Sequence, residues 1–178
     1  MPVSAAEEQR GPASKVAAAA AHTWSFAGNA NVIFKEIQQD AWQAENHADR
    51  LKSFAFEPRE SWETYADELS ALKQEVNDMG GKLYDLEMNR RTCAPWQRAE
   101  IDRIRTTIQL MADNTQDAIA FGNTHASELW LPTYEDYTRN LYNEALTLEQ
   151  SVSQAVRYAH TSQQYQNLQQ ELKVPASS

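Results

Sequence analysis

Between Trp62 and Leu86, apolar side chains recur at alternating steps of three and four residues without a break. This spacing places them on one face of an α-helix and excludes a β-strand, in which every second residue shares a face. Glutamates open the segment and arginines close it, as the helix dipole favours. The full series is Trp62, Tyr65, Leu69, Leu72, Val76, Met79, Leu83 and Leu86.

A second helix is predicted earlier in the chain, over about residues 29–56, by apolar residues at the same spacing. Pro58 stops it, because the residue before a proline avoids helical backbone. The alanine run at 17–21 can also begin a helix, but Gly28 leaves its continuity with residues 29–56 open.

Two more helices are predicted in the second half of the chain. One begins at Pro95, which suits a first helical turn, and extends to Pro132. In the other, Thr133 with Asp136 three residues on resembles a capping box, and the apolar stripe fades toward Leu172. The stripes run through Ile101, Ile104, Ile108, Met111, Thr115, Ala118 and Gly122, and through Leu141, Ala145, Leu148, Val152, Ala155 or Val156, and Ala159.

Short connections force consecutive helices to run antiparallel, so we predict an all-α, up-down-up-down antiparallel four-helix bundle. The predicted domain spans residues 14–172, with flexible tails at 1–13 and 173–178. A long coiled-coil hairpin that dimerises is the structural alternative.

Gly80 and Gly81 interrupt the most regular helix, on its flank. Each costs about 1 kcal/mol relative to alanine inside a helix. Three interpretations stay open: a tolerated surface weakness, a close approach or bend of a neighbouring helix, and a ligand that contacts bare backbone.

The charge of the chain narrows its partners. The formal net charge is −9, which disfavours binding to phosphate backbones or anionic lipid. No apolar run approaches the length of about 18 residues that spans a bilayer. We therefore expect no nucleic-acid partner and no membrane insertion.

The first residues can be interpreted in two ways, which predict different locations for the protein. In "PVSAAEEQR", Val3 and Ala5 occupy the −3 and −1 positions of an export-signal cleavage site. That interpretation predicts a periplasmic or secreted protein. The alternative, a chance run of small residues, predicts a cytoplasmic one.

Enzyme signatures are missing from the sequence: it has no glycine-rich phosphate loop, no G-x-S-x-G elbow and no H-E-x-x-H pair. No histidine follows a glutamate at the spacing that di-iron bundles use. A weaker set, at the bundle end formed by the first and third connections, could bind a divalent metal. It consists of His47 and His125, with Asp40, Glu63, Asp67 and Glu128.

Cys93, the only cysteine, precedes Pro95 and lies close to Arg90 and Arg91, whose charges would favour a reactive thiolate. An inert cysteine beside a turn is the alternative. Methionines could likewise ligate a haem, although at seam spacing they are typical packing residues. They are Met79, Met88 and Met111.

Aromatic residues are more numerous than one core can hold. The chain has five tryptophans, and tyrosines lie on more than one side of the fourth helix. Such a surplus indicates a contact surface for another chain, or rings that cover helix ends. The residues are Trp42, Trp62, Trp96 and Trp130 with Tyr134, Tyr137, Tyr142, Tyr158 and Tyr165.

One short fragment, "LTLEQ", has a known counterpart. Leu146, Thr147 and Gln150 match the LTxxQ motif, so the fragment resembles the small periplasmic stress chaperones of the Spy and CpxP kind, which are all-helical and cradle-shaped. The chain departs from them in its single copy of the motif, its position inside a long helix and its acidic surface. The resemblance implies a periplasmic chaperone function.

The sequence thus predicts a non-catalytic, exported helical bundle that acts through contacts with another protein or by self-association. We assign no catalytic, cofactor-binding or metal-ligating residue and no cofactor. A bundle that binds a small ligand or a metal is the alternative function, and a Spy- or CpxP-like chaperone is the third.

Overall fold

A computed structural model describes residues 12–54, 61–129 and 131–172, with side chains from residue 28 onward. The chain forms four α-helices: α1 (Pro12–Phe54), α2 (Trp62–Met88), α3 (Pro95–Thr124) and α4 (Pro132–Glu171). A short 3₁₀ turn, Arg90–Thr92, lies between α2 and α3.

The helices form an antiparallel four-helix bundle, which confirms the predicted fold. Each helix packs on two neighbours in the order α1, α2, α3, α4 and back to α1. The predicted stripes meet in the centre: Leu69, Leu72, Ile104 and Leu141 are each at most 1% exposed. No helix among the described residues has the length and apolar character needed to cross a membrane.

The start of α1 differs from the prediction. The helix is continuous from Pro12, so the alanine run and Gly28 belong to it, and the predicted start at residue 29 is wrong. Alanine has the highest helix propensity and a single glycine costs only about 1 kcal/mol inside a helix, so Gly28 does not break it. The predicted tails, except Pro12 and Ala13, lie outside the described residues, as do Ala55, Phe56 and Pro58.

α2 follows its prediction closely, and every seam residue from Tyr65 to Leu86 is buried. Gly80 and Gly81 lie on its flank, and an added Cβ at either position would meet nothing within 4 Å. No neighbouring backbone therefore approaches this pair closely, so that interpretation is wrong, while the surface weakness, a bend and a ligand that contacts bare backbone stay open.

The boundary between α3 and α4 also differs from the prediction. α3 ends at Thr124, whose hydroxyl donates to the carbonyl oxygens of Ala120 and Phe121 at 3.1 Å and so competes with the helix backbone. α4 begins at Pro132, one residue before the predicted Thr133, because Leu131 precedes a proline and is extended, with φ −68° and ψ 145°.

The two ends of the bundle differ. At the closed end, α1 meets α2 and α3 meets α4 through the first and third connections. At the open end, α3 begins at Pro95, and Gln97 Nε2 donates to Asn31 Oδ1 at 2.9 Å. Residues of α1 before Asn31 therefore lie beyond the first turn of α3, and so do residues of α4 after Tyr158, which contacts Trp96.

Candidate protein-contact surface

One flank of α4 packs on α3 through contacts that recur every seven residues. The first and last contacts are aromatic pairs, and the two between them are polar pairs. The pairs are Tyr137 with Phe121, Glu144 with Asn114, Ser151 with Glu100, and Tyr158 with Trp96. Because seven residues make about two helical turns, these four positions of α4 form one line along the helix. We call this line the α3-facing flank.

The last of these contacts marks the place where α3 stops covering α4. Trp96 is the second residue of α3, and its ring lies 5.1 Å from that of Tyr158 and 6.1 Å from that of Phe34. The next positions on the α3-facing flank are Tyr165 and Leu172. They are 61% and 71% exposed, because they lie beyond Pro95, the residue with which α3 begins.

Leu168, 54% exposed, lies beside them, and Tyr158 is itself 55% exposed. At 3.6 residues per turn, the four side chains fall within an arc of about 80°. We call Tyr158, Tyr165, Leu168 and Leu172 the α4 stripe. The core-facing side of α4, which is buried up to Ala159, continues next to the stripe with the polar residues Ser162, Gln166 and Gln169.

Most of the stripe lies in an uncharged part of an acidic protein, and only Leu172 is flanked by charged residues, Glu171 and Lys173. Residues 158–170 contain no Asp, Glu, Lys or Arg, although the chain has 25 acidic and 16 basic residues. The corresponding part of α1, residues 16–34, is also free of these residue types. A partner that covers Tyr158, Tyr165 and Leu168 would therefore contact a part of α4 without carboxylates, lysine or arginine.

The opposite flank of α4 faces α1 and has a different character. There, Lys52 Nζ of α1 lies 3.4 Å from the ring centroid of Tyr142. Steps of seven residues along this flank lead to Glu149, Val156, Gln163 and Gln170. Beyond the body of the bundle, the side of α4 that continues the α1 contact is thus polar, and the apolar stripe lies on the other side.

Other exposed apolar residues are more isolated. Tyr84 and Met88 lie on α2, 61% and 67% exposed, beside the charged residues Asp85 and Glu87. Trp42 of α1, 56% exposed, lines an open groove of about 300 Å³ with Lys35, Gln38, Gln39 and Glu149. That groove presents one ring between charges of both signs, a smaller apolar surface than the α4 stripe.

The predicted histidine pair has separate partners. His47 Nδ1 lies 2.6 Å from Glu68 Oε2 and 2.7 Å from Arg50 Nη2, in an ion-pair network between α1 and α2. Burial raises the pKa of Glu68, but hydrogen bonds from Arg50 and His47 outweigh it and leave that pKa lowered. Asp40, predicted beside His47, instead pairs with Lys82.

His125 lies in the turn after α3 and stacks on Phe121, with ring centroids 4.4 Å apart. Its Nδ1 is 2.7 Å from Thr124 Oγ1, and its carbonyl oxygen accepts from Glu128 N at 2.8 Å. Glu63 and Asp67 are exposed on α2. Within the described ranges, no three His, Cys, Asp or Glu side chains are grouped so that they could hold a metal ion.

Cys93 does not have the environment of a reactive thiol. Its residue is 4% exposed and its Sγ lies 3.7 Å from the carbonyl oxygen of Asn89. Burial raises the pKa of the thiol despite the nearby charges of Arg98 and Arg90. The hypothesis of a reactive thiolate required a lowered pKa and is therefore wrong.

The methionines and the LTLEQ fragment, which the sequence also singled out, occupy ordinary positions on the helices. Met79 and Met111 are fully buried in the core, whereas Met88 is exposed. In "LTLEQ", Leu146 is half-buried, and Thr147 is exposed and donates to the carbonyl oxygen of Asn143 at 2.7 Å. Trp130 lies outside the described residues.

Trp62 lies at the closed end, where a Cβ on Gly122 would come within 2.2 Å of its ring. The sequence placed Gly122 on the stripe of α3 without giving it a role. The glycine that allows a close approach is therefore this one, and not Gly80 or Gly81.

Comparison with protein-family models, with curated proteins and with solved structures finds no match to this chain.

The α4 stripe was recognised only in part from sequence, through Tyr158 and Tyr165. A usable signal was present: the seven-residue series from Tyr137 through Glu144, Ser151 and Tyr158 continues to Tyr165 and Leu172.

Proposed function

We propose that this chain is a non-catalytic helical bundle that acts by binding a protein through the α4 stripe. One observation carries the proposal: the flank of α4 that packs on α3 continues as an apolar surface past the point where α3 begins. Among the residues whose side chains the structure describes, no other helix covers this surface.

The chemistry of the stripe supports protein binding. Tyrosine is enriched at protein interfaces because it combines a large ring with a hydroxyl group that tolerates water. Tyr165 provides this at the centre of the stripe, with Leu168 and Leu172 beside it. The three side chains include no carboxylate, imidazole or amine, so they offer contact area and hydrogen bonding rather than acid–base chemistry.

The proposal includes a location outside the cytoplasm, in the periplasm or secreted. Support comes from Val3 and Ala5 at the spacing of a signal cleavage site. Fractionation of cells that express the natural gene from its own start would test it. Recovery of the protein in the cytoplasmic fraction would contradict the location and leave the binding proposal unaffected.

Site-specific photo-crosslinking in the native cells tests the binding proposal. A benzophenone amino acid replaces Tyr165 in one variant and Tyr84 in the control, because both tyrosines are 61% exposed and lie on helices. We expect a crosslinked product with another protein chain from position 165 and little or none from position 84. Equal yields, or no product from position 165, would overturn the proposal.

A further inference from the structure

We infer that the partner of the α4 stripe is a second copy of this chain, whose own α4 stripe packs antiparallel against it. This inference rests on the proposed function and specifies its partner. The two stripes bury each other around a two-fold axis near Tyr165, so that Tyr158 of one copy lies near Leu172 of the other.

The direction of the second helix follows from α3. α3 runs antiparallel to α4 and covers its flank through Phe121, Asn114, Glu100 and finally Trp96. A helix that continues this path beyond Trp96 also runs antiparallel to α4 and covers Tyr165 and Leu172. The α4 helix of a second copy meets this requirement and has its own exposed stripe buried in the same contact, as a symmetric dimer demands.

Spacing within the stripe matches such a pair of helices. Tyr158, Tyr165 and Leu172 recur every seven residues, and Leu168 adds the intermediate position three residues after Tyr165. This is the pattern with which two α-helices interlock side chains along a shared seam.

Charge favours the same geometry. At a net charge of −9, two copies repel each other wherever their acidic surfaces come close. Residues 158–170 carry no fixed charge, so contact is least opposed there. An antiparallel arrangement also places the two acidic four-helix bodies at opposite ends of the contact, where salt screens most of the repulsion.

The available area reaches what a specific dimer needs. A large side chain offers on the order of 200 Å². Since the stripe residues are 54% to 71% exposed, one copy presents about 500 Å² and two copies bury about 1,000 Å² in total, near the lower limit for a biological interface. We therefore expect a dimer that dissociates at micromolar concentrations rather than an obligate one.

Sedimentation velocity over a concentration series tests the inference with the full chain. We expect a monomer–dimer equilibrium for the unmodified protein. Tyr165→Glu places two like charges near the two-fold axis and should raise the dissociation constant at least about 100-fold. Tyr84→Glu, at equal exposure on α2, should leave it unchanged. An unchanged dissociation constant in Tyr165→Glu would overturn the inference.

Disulfide trapping in a Cys93→Ser background tests the orientation. Tyr165→Cys should link to itself across the axis. Tyr158→Cys should link to chains that carry Leu172→Cys, and not to itself. Self-linking of Tyr158→Cys and of Leu172→Cys would indicate parallel helices and overturn the antiparallel arrangement.

The outcomes separate this inference from the proposed function. A protein that stays monomeric, while position 165 photo-crosslinks to a different protein, overturns the second copy as partner and leaves the binding function standing. A monomer without any crosslink removes both. A crosslink from position 165 to residues 12–27 of the same chain shows that α1 covers the stripe, which overturns the inference as well.

Discussion

The same helix, α4, behaves differently in the body of the bundle and beyond it. Up to Ala159 it is held from three sides: by the core, by α1 through Tyr142, and by α3 through the seven-residue series that ends at Tyr158. From residue 160 to 172, every side chain is at least partly exposed. Apolar residues continue in both parts, but they change from the core-facing side to the α3-facing flank.

That change indicates that residues 160–172 are not simply a frayed helix end. A frayed end would need no apolar side chains, because solvent-exposed helix positions are filled well by polar residues. Here the core-facing positions do become polar, at Ser162, Gln166 and Gln169, while Tyr165, Leu168 and Leu172 lie beside them. The two parts of α4 therefore use different faces for packing, one within the chain and one proposed between chains.

Amide hydrogen exchange should give the largest contrast between the two parts. In dilute protein, we expect amides of α4 around Leu141 and Leu148, which are at most 1% exposed, to open with nearly the global free energy of unfolding, about 5–15 kcal/mol. Amides of residues 160–172 should open with less than about 2 kcal/mol, since few buried contacts hold them. Native-state exchange followed by mass spectrometry measures both.

Concentration provides the control for that experiment. If a second copy covers the α4 stripe, protection of residues 160–172 should rise with protein concentration while protection near Leu141 stays constant. Uniform protection along the whole of α4 in dilute protein would contradict the proposed difference between the part of α4 up to Ala159 and residues 160–172.

A matched pair of leucines on α4 gives the next largest effect. Leu141 is fully buried and Leu168 is 54% exposed. Leu141→Ala should lower the free energy of unfolding by about 2–5 kcal/mol, because it leaves a cavity in the core. Leu168→Ala should change it by less than about 0.5 kcal/mol in the monomer. Urea denaturation at low concentration measures both, and similar losses in the two variants would contradict the assigned boundary of the core.

The body of the bundle was predictable because its information is local. In α2, the unbroken rhythm from Tyr65 to Leu86 identified every buried residue from the sequence, since one face of a long helix must be apolar wherever it meets the core. Trp62, the first member of the series, is only partly buried, because it lies at the end of the helix against Gly122.

The role of residues 160–172 was less predictable from the sequence, because their exposure depends on where α3 begins. Tyr165 and Leu172 look like the fading end of a stripe until Trp96 shows that α3 stops at the height of Tyr158. The start of α1 was missed for a related reason: an alanine run has high helix propensity but no polar-apolar contrast, so Gly28 was given too much weight.

The closed end provides a third test, at Gly122. An alanine Cβ there would lie 2.2 Å from the Trp62 ring. Overpacking costs about 1–3 kcal/mol, and the gain in helix propensity is about 1 kcal/mol, so Gly122→Ala should lower the free energy of unfolding by about 1 kcal/mol. Gly81→Ala, with open space around the new methyl group, should raise it by up to about 1 kcal/mol.

A double-mutant cycle isolates the contact itself. In a Trp62→Ala background the obstacle is gone, and Gly122→Ala should then stabilise the protein as Gly81→Ala does. If Gly122→Ala is stabilising in the unmodified chain, the Trp62 ring is free to move away, and the closed end is looser than its packing indicates.

The smallest expected effect concerns Glu144, a polar member of the α3-facing flank inside the body. Its Oε1 accepts from Asn114 Nδ2 at 2.6 Å, while its Oε2 is buried and has no hydrogen-bond partner among the described residues. Burial raises the pKa of this carboxyl above the usual 4.5, and the charge of Asp113 adds to the shift, although the hydrogen bond from Asn114 opposes it.

The sign of the pH dependence follows from that shift. The folded protein holds the Glu144 proton more tightly than the unfolded chain does, so stability falls as pH rises from the unfolded pKa through the folded one. Glu144→Gln removes this dependence and should stabilise the protein at pH 7, by less than about 1 kcal/mol because the side chain is only half-buried. The difference from the unmodified protein should vanish below about pH 4.

Glu68 serves as the control of opposite sign, since hydrogen bonds from Arg50 and His47 outweigh its burial and leave its pKa lowered. Glu68→Gln should destabilise the protein at pH 7, and this loss should disappear as pH falls through the folded pKa. Denaturation curves between pH 3 and pH 8 would show both trends. If Glu144→Gln has no effect at any pH, water reaches the α3-facing flank within the body of the bundle. The apolar residues from Tyr165 onward would then mark only a change of residue type along a hydrated flank, and not the continuation of a dry helix contact.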